Sequence, residues 1–297
     1  MTVYSFYNNL LKKLNVKDSN NITSHIIHQD FEFYKYYFSL SNKQQEAGGD
    51  NVKEIDYEYE NYAFKIYQIE EDDRISFSVY NQNNTQSPDI CALFFIPKRD
   101  YYVYLETISY YTNCSIPSMP KTKGGSLLLN MILQFINDIK SKYKLKYIQL
   151  KDNSHFTCNQ DNERTPISNL YMLTRGNTWY GKYGFIPFDP IKKGVDIDVL
   201  VDYKINQKLI KLIKVKHTHL SDYLTVAINR LNLKEQFSKQ TIKKIFDAYN
   251  ERSIQDFFKD FMKRYDQRCH IFNLIYKEVM NEIGMIDLYG KIYYKTL

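Results

Sequence analysis

PKTKGGSLLL, residues 120–129, is the stretch of this chain that decides its fold. The ten residues from Tyr101 to Tyr110, YYVYLETISY, are rich in Tyr, Val and Ile and predict a strand before it. From Ser126 to Tyr143, apolar residues recur at three- and four-residue intervals, which predicts a helix after it. The order strand, glycine loop, helix directs free backbone N–H groups at one spot, which favours phosphate binding. The alternative is an ordinary turn between a strand and a helix.

Two kinds of residue in this loop suit a phosphate. Gly124 and Gly125 let the backbone approach a ligand closely, because they carry no side chain. Lys121 and Lys123 add positive charge.

Two spaced motifs give the chain a resemblance to a known family. Leu145 to Lys151 predicts a second strand after the helix, and the chain later reads YGKYGF from Tyr180 to Phe185. Residues 101–187 resemble the acyl-CoA-binding core of the GNAT family of N-acetyltransferases. In that family a pyrophosphate loop, Gln/Arg-x-x-Gly-x-Gly/Ala, precedes a helix, and Tyr-x-x-x-Gly-Phe enters a later strand. Lys121 to Ser126 and Tyr180 to Phe185 fill these two patterns.

The chain also departs from the family pattern at several positions. The first loop position is Lys121 and the last is Ser126, and Leu173 stands where the family commonly has Asn. The segments 111–123 and 152–168 are longer than usual.

The resemblance implies an α+β fold with a mixed, mostly antiparallel twisted sheet flanked by helices. It implies transfer of acetyl from acetyl-CoA, the co-substrate, to a primary amine of a protein or small molecule. The acceptor itself is left open. The cofactor-binding residues that it implies are Ile108, Lys121, Lys123, Gly124, Gly125, Ser126 and Leu127.

Amide formation from a thioester needs a base for the amine and an acid for the leaving thiolate. By its place in the motif, Tyr180 is the expected acid; the alternative is a packed aromatic residue in the Trp179–Tyr183 cluster. Glu106 is the expected base, because it is the single carboxylate in the strand 101–110. Aromatic neighbours would raise the pKa of Glu106. The alternative is a Glu that faces solvent or pairs with a Lys.

Other candidates have less support from the sequence. His155 follows the second strand and is the next acid to consider after Tyr180. His217 and His219 lack a third ligand nearby, so no metal is expected. Cys114 would need a His partner to act as a nucleophile. The acidic residues between Glu54 and Asp73 either attract a cationic amine or form the solvated face of an edge hairpin.

Composition and charge divide the chain. Of its 297 residues, 28 are Tyr, a bias typical of AT-rich genomes such as those of large DNA viruses. The net charge is +6, and residues 201–297 hold 18 Lys and Arg against 11 Asp and Glu, a surplus of seven. We expect an N-terminal helical segment and linker over 1–50, an acetyltransferase-like domain over 51–200 and an all-helical domain over 201–297.

The basic C-terminal part supports a second class of function. Lys204, Lys208, Lys211, Lys214 and Lys216 interleave with apolar residues, as in a basic amphipathic helix. Such a helix would bind a polyanion or an acidic protein, and the chain would then be a non-catalytic structural or interaction protein, virion-associated if viral. The alternative is a solvated helix face.

Neither a membrane span nor a secretory signal is predicted. No apolar run reaches the roughly 18 to 20 residues that a spanning helix needs. The four cysteines are scattered without a CxxC pair, so neither a disulfide framework nor a zinc site is indicated. These features predict a reduced, cytoplasmic protein.

Overall fold

A computed structural model of the chain describes residues 52–80, 90–108, 124–157, 164–187, 197–235, 237–264 and 268–297. The helical segment expected within residues 1–50, and the loop lysines Lys121 and Lys123, lie outside the described residues.

The described residues form an α+β fold on a seven-stranded, mostly antiparallel sheet flanked by helices, which confirms the expected fold class at this level. The strand order is β1-β2-β3-β4-β5-β6-β9, and β7 pairs with β8 separately. The strands are β1 (Val52–Tyr59), β2 (Tyr62–Glu70), β3 (Arg74–Tyr80), β4 (Ile90–Pro97), β5 (Tyr102–Ile108), β6 (Tyr147–Lys151), β7 (His155–Thr157), β8 (Arg164–Pro166) and β9 (Ile292–Thr296).

Helices occupy most of the remaining described chain. They are α1 (Gly124–Tyr143), α2 (Ile167–Arg175), α3 (Ile197–Leu212), α4 (Leu220–Arg230), α5 (Lys239–Tyr249), α6 (Ile254–Arg264) and α7 (Arg268–Glu282). Short 3-10 helices cover Tyr180–Tyr183 and Val215–His217. Within the described ranges, no helix is both long and apolar enough to cross a membrane.

The chain divides into two units. Among the described residues, one unit holds residues 52–100 and 107–134, and the other holds 101–106 and 135–297. We call them the meander unit and the parallel-pair unit.

The meander unit contains β1 to β4, each antiparallel to the next. Strands β2, β3 and β4 all contribute to its core, in which Phe77 and Phe94 stack with 5.1 Å between ring centroids. The edge strand β1 has no fully buried residue. Acidic residues of this unit pair with cations, as in Lys98–Glu70 at 3.1 Å. This pairing favours the interpretation of a solvated edge hairpin.

The parallel-pair unit contains β5, β6 and β9. Strand β5 is parallel to β6, with the register running from Tyr102↔Tyr147 to Leu105↔Leu150. Strand β9 is antiparallel to β6, from Tyr147↔Thr296 to Lys151↔Ile292.

The C-terminal region therefore differs from the expectation in two ways. It ends in a strand rather than a helix, because Tyr293 and Tyr294 are buried in the sheet. It also belongs to one unit with β6.

The expectation of free thiols is wrong. Cys91 and Cys269 are disulfide-bonded, and no free cysteine occurs among the described residues. Pairing depends on distances in space, which scattered sequence positions do not reveal.

Candidate functional site

Tyr180 lies at the start of the 3-10 helix that follows α2. Its ring contacts Trp179 and Phe185 edge-on, with centroids 4.7 Å and 5.8 Å apart. Only 8% of the residue is exposed. The motif tyrosine is therefore a packed aromatic residue, and its possible role as an acid depends on the polar groups around it.

Steric constraints explain why positions 181 and 184 of the YGKYGF motif are glycine. Gly184 has φ of 84°, a left-handed conformation in which an L side chain is strained, and it closes the 3-10 turn. At Gly181, a Cβ would collide with the Asn177 side chain and lie 2.7 Å from the Tyr203 hydroxyl. Asn177 and Tyr203 are themselves hydrogen-bonded. The motif glycines thus let the turn pack against α3.

The acidic neighbour of Tyr180 is Asp152, which the sequence analysis did not select. Asp152 follows β6 directly and is fully buried. Its backbone extends the β6–β9 pairing, because its N–H donates to the Lys291 carbonyl at 2.9 Å and its carbonyl accepts from the Gly290 N–H at 2.7 Å. Its Oδ1 accepts from the Ser154 N–H at 3.1 Å and from the Ser154 hydroxyl. Within the described part of the chain, its Oδ2 has no hydrogen-bond partner.

Burial controls the ionisation of these groups. It raises the pKa of Asp152 to about 6, while the two hydrogen bonds from Ser154 act in the opposite direction. Burial and then the charge of Asp152 raise the pKa of Tyr180. The same two causes, in the same order, raise the pKa of Tyr293 on β9. The half-buried Ser154 thus lowers the pKa of Asp152, and the charge of Asp152 acts on the buried Tyr180 and Tyr293.

Glu106 lies on the other side of the strand pair. It is half-buried on β5, and alternation places it on the face of Tyr102 and Tyr104. Its charge contributes, after burial, to a raised pKa of Tyr104. Alternation along β6 places Asp152 on the opposite face. The sequence analysis selected Tyr180 and Glu106 as acid and base, but the carboxylate that acts on Tyr180 is Asp152.

The residues expected to bind the cofactor, where the structure describes them, lie at two places. Ile108 is half-buried at the end of β5. Gly124 to Leu127 form the first turn of α1, which begins at Gly124 and so includes both glycines. Among the described residues, no atom lies within 4 Å of a Cβ built on Gly125. The turn is anchored by Leu128 and Leu129, which are fully buried.

The remaining candidates are exposed or already paired. His155 is exposed, with Nδ1 3.2 Å from the Asn153 carbonyl oxygen. His219 Nδ1 lies 2.7 Å from a carboxylate oxygen of Glu282. No group of three His, Cys, Asp or Glu that could hold a metal occurs among the described residues.

The lysines at the end of α3 fall into two sets. Lys204, Lys208 and Lys211 are exposed at helical spacing on one face. Lys214 and Lys216 instead pair with Glu251, at 3.0 Å and 2.5 Å.

Comparison with known proteins identifies no relative: no family model, no curated protein and no solved structure matches this chain.

Proposed function

We propose that the protein is an acyl-CoA-dependent N-acetyltransferase that moves acetyl from acetyl-CoA to a primary amine. The observation that carries this proposal is the parallel pairing of β5 with β6, two strands joined in sequence through α1. The pairing stops at Leu105↔Leu150, although β5 continues to Ile108.

The first turn of α1 supports a site for the pyrophosphate of CoA. The first N–H groups of a helix have no partner within the helix, and the helix dipole favours an anion there. The open space above Gly125 leaves room for close approach of a ligand.

Tyr180 supports the chemical step in the parallel-pair unit. Its hydroxyl would protonate the leaving thiolate. Glu106, the expected base, lies on the opposite face of the strand pair from Asp152, so in this proposal the amine loses its proton through water. A thiol has a pKa near 8.5, so protonation of the thiolate is favourable at neutral pH.

The test measures the rate at which free CoA is released from acetyl-CoA in the presence of a panel of primary amines. Tyr180→Phe keeps the ring but removes the proton, so we expect the rate to fall by roughly 10²- to 10⁴-fold, the range for loss of a general acid. The matched control is Tyr183→Phe, in the same 3-10 helix and also in edge contact with Trp179. The control should retain activity within about threefold, since one buried hydrogen bond at most is changed.

If Tyr180→Phe and Tyr183→Phe lose activity equally, Tyr180 is a packing residue. His155 would then be the next acid to replace.

A second candidate function is non-catalytic binding to a polyanion or an acidic protein. The observation that favours it is the exposed row of Lys204, Lys208 and Lys211, which carries no ion pair within the described residues. A shallow cavity of about 610 Å³ beside this row is lined by residues of both charges, Lys211, Glu251 and Asp256 among them, and does not single out an anion.

A further inference from the structure

We propose that β1 is a docking strand for a basic, extended peptide, which adds to the sheet as an antiparallel neighbour of β1. This inference concerns the meander unit, goes beyond acetyl transfer and does not depend on it.

The first support is the backbone of β1. This strand ends the seven-stranded sheet, and its pairing with β2 covers all eight of its residues without a bulge. Within the described chain, no other strand and no other backbone group bonds to its outer edge. Proteins commonly protect an edge with a short strand, a proline or a bulge, and β1 (VKEIDYEY) has none of these. Such an edge can accept a further strand through main-chain hydrogen bonds.

The backbone groups that β1 leaves for a partner belong to its acidic residues. Tyr59 and Tyr62 flank a two-residue turn and therefore form a hydrogen-bonded pair. Because the pairing alternates, the N–H and C=O groups of Glu54, Asp56 and Glu58 point away from β2. The side chains of these three residues also share one face of the strand. A peptide that bonds to these backbone groups therefore meets three carboxylates on one face.

The negative charge of this face is only partly neutralised. Lys65 on β2 bonds to Glu54 and lies 3.6 Å from Asp56, whose side chain is 84% exposed. Glu58 is exposed and forms no ion pair within the described residues. One ammonium group thus serves three carboxylates, and the remaining charge favours Lys or Arg side chains on the partner.

The other face of β1 suits apolar side chains. Ile55 lies directly opposite Ile66, which is fully buried, yet Ile55 itself is only half-buried at the edge of the sheet. An apolar peptide residue on that face would cover Ile55. The preferred partner therefore alternates basic and apolar residues, as a strand between two different environments does.

The same charges disfavour a second copy of this chain as the occupant. An antiparallel pairing of two β1 strands centred on Asp56 places Glu54 of one copy opposite Glu58 of the other. It also places the two Asp56 side chains opposite each other. Like charges directly opposite each other destabilise a sheet. Charge therefore selects a basic strand and opposes self-association.

The probe is a fluorescein-labelled peptide of eight residues, the length of β1, in which Lys and Val alternate. Its binding to the full chain is followed by anisotropy at low salt. In an antiparallel partner, the lysines lie opposite the three acids and their backbone N–H groups point toward β1. Methylation of the backbone nitrogens of the lysines should therefore weaken binding at least about tenfold, because hydrogen bonds to β1 are lost. Methylation of the valine nitrogens, which point away, should leave the affinity within about threefold.

A protein variant tests the charge of β1. The triple variant Glu54→Gln, Asp56→Asn and Glu58→Gln should weaken binding of the unmodified peptide by roughly 3- to 100-fold, the range for three cross-strand charge pairs. The matched control changes three other exposed acids of the same unit to their amides and should bind as tightly as the wild type: Glu70, Asp72 and Asp73. All six side chains are exposed, so both variants should fold.

The contrary results each point to a different explanation. Equal binding of the two methylated peptides would overturn the inference, because charge alone would then attract the peptide. Wild-type affinity in the triple variant would overturn the selection of a basic partner by β1. A wild-type dimer in sedimentation that the peptide dissociates would make a second copy the occupant. No binding by the wild type at millimolar peptide would show that the edge does not accept a strand.

Discussion

At the scale of one residue, the burial of Asp152 lowers the stability of the folded protein at neutral pH. Burial without a cation makes its ionised form costly, and this cost has a predictable dependence on pH. The pKa of Asp152 is raised from 3.8 to about 6 by folding. Between these values the folded chain binds more protons than the unfolded chain, so this residue lowers the stability as pH rises from about 4 to 6.

Asp152→Asn should therefore stabilise the protein above pH 6 and not below pH 4. A shift of about two pKa units corresponds to roughly 3 kcal/mol in the free energy of unfolding, which is the upper limit of the gain. The Asn carbonyl can still accept the bonds from Ser154. The measurement is the thermal midpoint of both proteins at pH 4 and pH 7.5, and a variant that is less stable at pH 7.5 would contradict it.

Sequence patterns select Tyr180 as a candidate site residue, but they do not select Asp152. Tyr180 stands in a motif whose spacing is visible in the chain, and its two glycines have the conformational roles that such motifs need. In the sequence, Asp152 comes directly after a predicted strand, so it is interpreted as a loop residue. Its burial depends on β9, whose residues lie about 140 positions later, and no local pattern encodes that pairing.

At the scale of elements, local periodicity predicted most strands and helices. Strands β5 and β6 and helix α1 lie where alternation and helical spacing indicated them, and helices α4 to α7 lie within residues 201–297, where a helical domain was expected. Strand β9 was missed because five residues at the chain end, IYYKT, alternate too briefly to distinguish a strand from a loop. Its tyrosines become buried only through pairing with β6.

The row of exposed lysines on α3 gives a prediction at this scale. If it binds a polyanion, replacing Lys204, Lys208 and Lys211 by Gln should reduce the slope of log K against log salt for duplex DNA by about one unit per lysine. The control replaces Lys214 and Lys216, which both pair with Glu251, and should change the slope less. The full chain is used, with fluorescence anisotropy between about 50 and 200 mM salt. No binding at the lowest salt would make the row a solvated face.

At the scale of the whole molecule, the disulfide bonds are the largest departure from the sequence analysis. Disulfides are rare in the cytosol, so cytoplasmic localisation stays a prediction that the redox state of the cysteines tests. Without reductant, Cys91 and Cys269 should resist alkylation even in denaturant. Reduction should lower the thermal midpoint, since loss of one native disulfide typically costs about 2–5 kcal/mol. Peptide mass spectrometry of the alkylated chain makes the measurement, and free thiols at both positions would contradict the structure.

The central claim is that the protein binds acetyl-CoA through the first turn of α1. The variant Gly125→Val tests it in the intact chain, because the added Cβ has no atom of the described residues within 4 Å and would occupy the space of the ligand. A matched control is Asn137→Val, on the exposed side of the same helix. Both variants place Val in α1, and Gly125→Val also removes a glycine, so weaker binding by Gly125→Val would not come from loss of helix propensity.

Calorimetric titration with acetyl-CoA at neutral pH is the most direct measurement of this claim. Saturable binding is expected for the wild type and Asn137→Val, with affinity reduced at least tenfold, about 1.4 kcal/mol, in Gly125→Val. No heat of binding by the wild type at millimolar acetyl-CoA, or equal affinity in Gly125→Val, would contradict the claim.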